Sequence, residues 1–539
     1  MSRWQLRSVS DELRREYRDN GWWDDASLGD LVAAGLDRMH DVPFRVRSQV
    51  RPWDGTFADI DRAARSLAAT WRARGIGAGD VVMFQLPNWV EAGITFWAAA
   101  YLGAVVIPVV HFYGAKEVDY ILATTKPDVV VTAVRFGQSD FAATYDELLP
   151  RHGSPCWLVA GADGEALPAG ATPFESALGG SPITEPAAVD PDSPAIVAFT
   201  SGTTKDPKGV VHSQRTIGCE ARQLHHMFPG IGPPGITGAP VGHFIGMVNA
   251  FLVPLLRDLP VTLVDVWNPE RVLKLMLDEG LGMSGGATYF LTSLLDHPDF
   301  TPEHLKLMPF AGLGGSTVPA AVTERAERLG IRCYRSYGST EHPSITGSLL
   351  HEPQEKRNRT DGHVLPGVEI RLTDEGEIES RGPDRFIGYT DPDLTAAAFT
   401  PDGWYRTGDV GILDADGYLT ITDRLADFII RGGENISAVE VEDVLLGLDA
   451  IAEVSVVGQP DDRYGERAAA MMRLHPGAEC PTMEVVRAHL QSVGLAKQKW
   501  PEALYEVADF PRTPSGKVQK FKLRADLRAG RFPREDSNA

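Results

Sequence analysis

Cysteine is scarce in this chain. There are four in 539 residues, Cys156, Cys219, Cys333 and Cys480, far apart and with no CxxC pair. That leaves no disulfide framework and no cysteine-based zinc site, and it suits a reducing cytoplasm. Apolar runs of about 18 residues, the length a membrane-spanning helix needs, are missing as well. So is a hydrophobic stretch of signal-peptide length near the start, where MSRWQLRSVSDELRREYRDNGWW is charged and interrupted. Basic residues are outnumbered, with 52 Lys and Arg against 73 Asp and Glu, for a formal net charge of −21. Broad binding to nucleic acid or to an anionic membrane rewards a basic surface, so this composition argues against both. Any site for an anionic small molecule must be a local basic exception. Oligomeric state is left open by the sequence.

What is present describes a globular chain, 43% hydrophobic and 23% charged. Its length exceeds what one hydrophobic core usually supports, so at least two domains are expected. Residues 27–190 alternate helical periodicity with short apolar runs, the pattern of an α/β layer. Residues 59–74 put Ile60, Ala63, Ala64, Leu67, Ala68 and Trp71 on one helix face. Residues 81–84, 105–110, 129–131 and 157–159 read as buried strands, with a helix over 91–102, which predicts parallel βαβ units. Residues 214–370 repeat the theme, with a strand at 261–264 and helices at 269–279 and 318–329. Short strands and turns over 366–422 suggest a small β-barrel or curled sheet, and 428–539 reads as a compact α+β lid. The fold expected is therefore α/β: a large N-terminal domain of two α/β subdomains plus a small β-barrel, residues 1–423, a hinge at 424–427, and a smaller mobile α+β C-terminal domain. The pair Trp22-Trp23 reads as a packing anchor.

Chemistry concentrates in a few stretches. The first is FTSGTTKDPKGVVHS, Phe199 to Ser213, which sets Thr200, Ser201, Gly202, Thr203 and Thr204 ahead of Lys205, Lys208 and Gly209. Small hydroxyl residues and glycine let backbone N–H and hydroxyl groups close around an anionic oxygen cluster, while lysine supplies charge. That is a polyphosphate cradle. A Walker loop has different glycine spacing and opens directly into a helix; here Pro207 precedes Lys208. Further along come PVGHF (240–244), GLGGS (312–316), YGSTE (337–341), YRTGD (405–409), DRLADFIIRGGENIS (423–437) and PRTPSGKVQK (511–520). Taken singly, each reads equally well as a turn, a hairpin or a solvated loop tip.

Their order resembles that of the adenylate-forming superfamily, which includes the acyl-CoA synthetases and fatty-acid–CoA ligases, from about residue 30 onward. The resemblance implies a role for each position. The 200–208 stretch, through Thr200, Ser201, Gly202, Thr203, Thr204 and Lys208, would hold the phosphates of ATP. Gly314, Gly315 and Ser316 would run beside adenine and the acyl group, and Tyr337, in one turn with Gly338 and Ser339, would stack on adenine. Thr340 would contact the α-phosphate and Glu341 would help hold Mg²⁺, a hard cation for which one carboxylate plus phosphates commonly suffices. Asp409 would accept from the ribose hydroxyls, and Arg424 would meet ribose or phosphate. His243 and Phe244 would gate the acyl pocket, with Gly242, Gly246, Gly285 and Gly286 leaving room for a bulky acyl group. Arg431, Gly432 and Gly433 would line the path of the CoA thiol. Lys517 would be the catalytic lysine.

Two positions depart from the family pattern. Lys205 stands at a variable position that is often glycine. Ala426 stands where the hinge is usually Asp or Lys, although a hinge needs only to absorb a dihedral change, which a small residue can do. The expected activity is ATP-dependent acyl-CoA synthesis. A carboxylate and MgATP give acyl-AMP and pyrophosphate; the CoA thiol then takes the acyl group and AMP leaves. Lys517 bridges two anions as charge builds on the phosphoryl oxygens. Two other readings stay open: an acyl-AMP ligase loading a carrier protein, although no carrier domain is visible, and a non-catalytic acyl-adenylate binder. Fatty, alicyclic, sterol side-chain and aromatic acids all remain candidate substrates.

Overall fold

The computed structural model describes residues 3–153, 155–200, 207–228, 230, 232–283, 285–316, 318–425, 427–431, 434–461, 463–513 and 516–532. Its spine is an eight-stranded sheet. The β-branched runs Val81–Gln85, Val105–Val109 and Val129–Ala133 are buried at every position, as strands covered on both faces must be. They pair in parallel, with Cys156–Ala160 and Ala171–Pro173 on one side and Pro194–Thr200 on the other. Lys208–Ser213 then folds back antiparallel on Pro194–Thr200 and pairs with Gly388–Tyr389.

Beside this spine runs the helix Val90–Leu102, buried on all sides because its sequence is apolar all round. It packs the first sheet against a second five-stranded one, ordered Gly282–Met283, Gly235–Thr237, Val261–Leu263, Pro43–Val46 and Trp53–Thr56. Aromatic rings fill the seam, with Phe57 stacked on Trp97 at 5.7 Å and Phe44 edge-on to both. The flanking helices start where the sequence supplies caps: Ser27 and Thr56 each form a capping box, and Asn268 caps Pro269–Glu279. A third sheet continues the second α/β unit through Gly285–Gly286, Phe310–Leu313 and Arg332–Tyr337, then Thr346–Gly347 and His363–Val364. The small β unit expected at 366–422 is an antiparallel sheet ordered Glu369–Leu372, Glu377–Arg381, Tyr405–Leu413 and Leu419–Arg424.

Residues beyond Asp427 build their own sheet around the hairpin Ile451–Asp461 and Gly465–Leu474. Separate apolar clusters cover its two faces, one under Ala438–Leu445 and Met483–Ser492, the other under Lys520–Arg528. Trp23 is buried edge-on to Tyr17 and donates to Pro383 O at 2.8 Å, the anchoring role expected of it. Among the described residues no helix is long and apolar enough to cross a membrane.

Candidate active site

Thr200 and Tyr337 stand at the carboxyl ends of a spine strand and a third-sheet strand, the cleft position at which ligands of open α/β folds sit. His212–Thr340 and Tyr389–Glu341 contacts join the two. Thr200 closes its strand directly opposite Lys208. Ser201, Gly202, Thr203 and Thr204, with Lys205, lie outside the described residues. Lys208 Nζ is 5.6 Å from the centre of the Tyr389 ring, and the Tyr389 hydroxyl donates to Glu341 Oε1 at 2.8 Å. The cradle's lysine and the expected metal ligand are thus joined through one phenol.

The YGSTE turn is fixed from several sides. A side chain at Gly338 would overlap the carbonyl oxygen of Pro343, so only glycine lets the chain turn here. Ser339 N donates to His342 O at 2.9 Å, closing the turn. His212, in the strand that follows the cradle, places Nε2 2.7 Å from Thr340 O and lays its ring against Phe244, 4.9 Å between centroids. Phe386 N donates to Glu341 O at 2.7 Å. The buried His342 ring sits between Ser380 Oγ at 2.8 Å and Asp384 Oδ1 at 3.2 Å.

Tyr337, Asp409 and Arg424 form a second group. The Tyr337 hydroxyl donates to Asp409 Oδ2 at 2.8 Å, and Arg424 Nε donates to Asp409 Oδ1 at 2.7 Å. Both carboxylate oxygens are oriented by these contacts. Burial and the neighbouring Asp409 carboxylate push the Tyr337 phenol well above its ordinary value, so it stays a donor at any physiological pH. Gly314 N donates to Gly286 O at 3.2 Å, which lines residues 314–316 up along the adjacent strand.

His243 starts the helix Phe244–Phe251. Its ring is half-buried, with Nδ1 enclosed and unpartnered, and desolvation together with the Lys517 charge lowers its pKa to about 4. It is therefore neutral at pH 7. Asn88 sets its position, donating to Ala239 O at 3.0 Å and Val264 O at 2.9 Å and accepting from Val241 N at 2.8 Å. The neighbouring glycines do not open a pocket. A side chain at Gly242 would overlap Val109 O, at Gly246 Pro240 O, and at Gly285 Gly312 O, while Gly286 would meet the Phe290 ring at 3.0 Å. Backbone at the first three and the Phe290 ring at the fourth already fill the space beside them, which corrects the reading of them as room for an acyl group.

Lys517 reaches this cleft from the C-terminal sheet. Its loop is closed by Thr513 N donating to Lys517 O at 2.7 Å and Lys517 N donating to Thr513 Oγ1 at 3.1 Å. The loop rests on the helix Thr288–Leu295: the Arg512 guanidinium lies 5.2 Å from the Tyr289 ring centre, and a Cβ at Gly516 would sit 3.0 Å from Tyr289 Cβ. Burial and the Arg424 charge lower the Lys517 pKa to about 8, against the pull of Asp409 and Asp427. The ammonium is thus coupled electrostatically to His243 and to the Asp409–Arg424 pair.

Not everything expected converges. Arg431 pairs with Glu502 at 2.6 Å and covers the Tyr464 ring at 4.2 Å, contacts within the C-terminal sheet. Gly432 and Gly433 lie outside the described residues, as does Ala426. On either side of it, Leu425 N donates to Gly408 O and Asp427 pairs with Arg524 at 3.0 Å.

The chain matches the AMP-binding enzyme family over residues 46–390 and that family's C-terminal domain over 440–517. The chain belongs to the AMP-binding enzyme family. It is an adenylate-forming acid–thiol ligase, as the order of its motifs implied. Among its relatives, the medium-chain fatty-acid–CoA ligase of Escherichia coli is 33% identical over 538 residues, covering 96% of this chain and 94% of the relative. The 3-[(3aS,4S,7aS)-7a-methyl-1,5-dioxo-octahydro-1H-inden-4-yl]propanoyl:CoA ligase of Rhodococcus jostii is 34% identical, covering 87% and 93%. Among solved structures, ATP-bound MatB from Rhodopseudomonas palustris superposes with a TM-score of 0.79 at 26% identity, over 93% of this chain and 99% of that one.

His212, Asn88 and Tyr389 were not singled out from the sequence. His212 and Tyr389 lie on short strands beside the motifs, and a buried histidine just after a phosphate cradle was the available signal. Nothing local marks Asn88, whose partners are 151, 153 and 176 residues away.

Proposed function

We propose that this ligase converts a medium-chain or alicyclic carboxylic acid to its CoA thioester through acyl-AMP. What supports this reading is the electrostatic coupling of Lys517 to His243, Asp409 and Arg424, beside the hydrogen bonds that join Tyr337, Asp409 and Arg424. In it, Asp409 accepts from the ribose hydroxyls and Tyr337 faces the adenine. Thr340, Lys208 and the 200–204 segment hold phosphate oxygens. His243, neutral, and Phe244 border the entrance for the carboxylate. The carboxylate attacks the α-phosphorus while Lys517 offsets the repulsion between the two anions. A carboxylate is already ionised at neutral pH, so no general base is needed.

Among the described residues no cluster of three or more metal-ligating side chains exists. One carboxylate, Glu341, braced by Tyr389, fits a Mg²⁺ that takes its remaining oxygens from phosphate and water. Such an ion neutralises phosphate charge. The proposed division is 1–423, 424–427 and 428–539, supported by the separate cores of the C-terminal sheet. In a second orientation of that domain, residues 431–433 meet the CoA thiol. The scarcity and wide spacing of the four cysteines support a reducing, cytoplasmic setting.

The relatives' names set the choice of acids, a medium-chain fatty acid and a fused-ring propanoate. The test is pyrophosphate release with a mixed panel of carboxylates, with and without CoA, and the masses of the thioesters formed. Release without any CoA adduct, for every acid, would redirect the proposal to a carrier-protein acceptor. No release would end it.

A further inference from the structure

Away from the cleft, the N-terminal segment runs beside the connection over residues 382–387 and closes over a partly enclosed recess. Its walls include the rings of Trp23, Phe386 and Phe399, and its polar side chains are Arg7, Ser8, Tyr17 and Arg385. Both guanidiniums approach one phenyl ring, Arg7 at 3.8 Å and Arg385 at 4.9 Å from the centre of Phe399. Neither has a carboxylate ion-pair partner among the described residues. Asp384, beside Arg385 in the chain, is engaged by His342 and by Ser344 N at 3.1 Å. Arg385 donates through Nη1 to Gly403 O at 2.8 Å and Ser380 O at 3.3 Å, and Arg7 Nη1 is buried with no partner at all.

Two cations facing one small apolar-walled space are costly unless something negative joins them. Ring faces attract guanidinium, but weakly compared with the loss of hydration around a buried charge. We propose that this recess is a binding site for a small inorganic anion, of the size of a halide or sulfate, held by Arg7, Arg385 and the Tyr17 hydroxyl. Guanidinium is a donor only and a phenol can turn its O–H toward an anion, which complements such an ion and is the wrong lining for a metal. Burial and the mutual repulsion of Arg7, Arg381 and Arg385 lower the Arg385 pKa to about 10, in keeping with a missing counter-charge. The bound ion would tie the N-terminal segment, already fastened by Arg7 N to Ile387 O at 3.0 Å, to the connecting segment whose Phe386 N holds Glu341 O.

Sulfate titrated into the nucleotide-free full chain, against gluconate at constant ionic strength, should give a saturable rise in melting temperature. Arg7→Gln should weaken the apparent affinity for sulfate roughly tenfold or more, the cost of one charge-assisted hydrogen bond. A rise kept in full by Arg7→Gln would assign the ion to the nucleotide cleft and overturn the proposal, as would the absence of any saturable rise. Should Arg7→Gln fail to fold, bromide-soaked crystals of the unaltered protein decide. An anomalous peak between Arg7 and Arg385 supports the site; an empty recess overturns it.

Discussion

At the scale of single residues, Lys517 has the most to lose. Removing a preorganised electrostatic donor typically costs about 2.7–4 kcal/mol, roughly 10²–10³ in rate. Lys517→Ala should therefore abolish most acid-dependent pyrophosphate release while leaving thioester formation from supplied acyl-AMP intact. Equal loss of both half-reactions would contradict a lysine that serves only the first. Its pKa near 8 gives a second test with a definite sign. The reaction needs the ammonium, so kcat/KM for pyrophosphate release should fall above pH about 8. The limb reports the free enzyme, because kcat/KM does. In Lys517→Arg, whose charge persists, the limb should vanish even if the rate is low. Stability runs the opposite way: a lysine with a depressed pKa disfavours this conformation while protonated, so the lid's hold strengthens between pH 8 and the ordinary lysine range as catalysis fades.

Elements, rather than residues, explain what could be read from the sequence and what could not. Strands such as Val129–Ala133 and the helix Pro269–Glu279 were legible because an unbroken β-branched run and an Asn-Pro start are local signals. Helix ends shifted by a residue or two, Phe57–Ala73 against 59–74, where the Thr56 capping box set the true start. Tyr405–Leu413 was legible only as a ribose motif. That it is also a nine-residue strand, pairing Asp409 opposite Arg424, follows from sheet register, which no short stretch encodes. Two of the glycines misread as pocket space, Gly242 and Gly285, fail for the same reason, since the backbone beside them comes from other strands. Two variants test the bracing of the site elements. Gly338→Ala should displace the 339–343 turn and weaken AMP binding roughly tenfold or more, measured by calorimetry, because the overlapping atom is backbone and cannot move aside. Asn88→Leu leaves Ala239 O, Val264 O and Val241 N without their buried partner, at about 1–3 kcal/mol each. A melting temperature unchanged in Asn88→Leu would remove it as the link between the two α/β units.

The whole molecule depends on which way the C-terminal sheet faces. Here it faces the cleft with Lys517, and the Arg431 strand is turned to its own sheet. The contact that records this orientation on the N-terminal side is Tyr289, met by Arg512 and by the backbone at Gly516. Ala426, by contrast, would belong to the proposed pivot rather than to one orientation. Ala426→Lys should change the overall rate while leaving adenylation nearly intact, and unaltered turnover would remove residue 426 from the scheme. Tyr289→Ala should do the reverse. A partly exposed cation–π contact is worth about 0.5–1 kcal/mol, so the lysine-in orientation should lose roughly two- to fivefold in population. Pyrophosphate release should fall by that factor, and thioester formation from supplied acyl-AMP should hold steady or rise, because the orientation that competes with it is weakened. A fall in both half-reactions would instead make Tyr289 part of the acyl site and leave the lid's orientation to be set elsewhere.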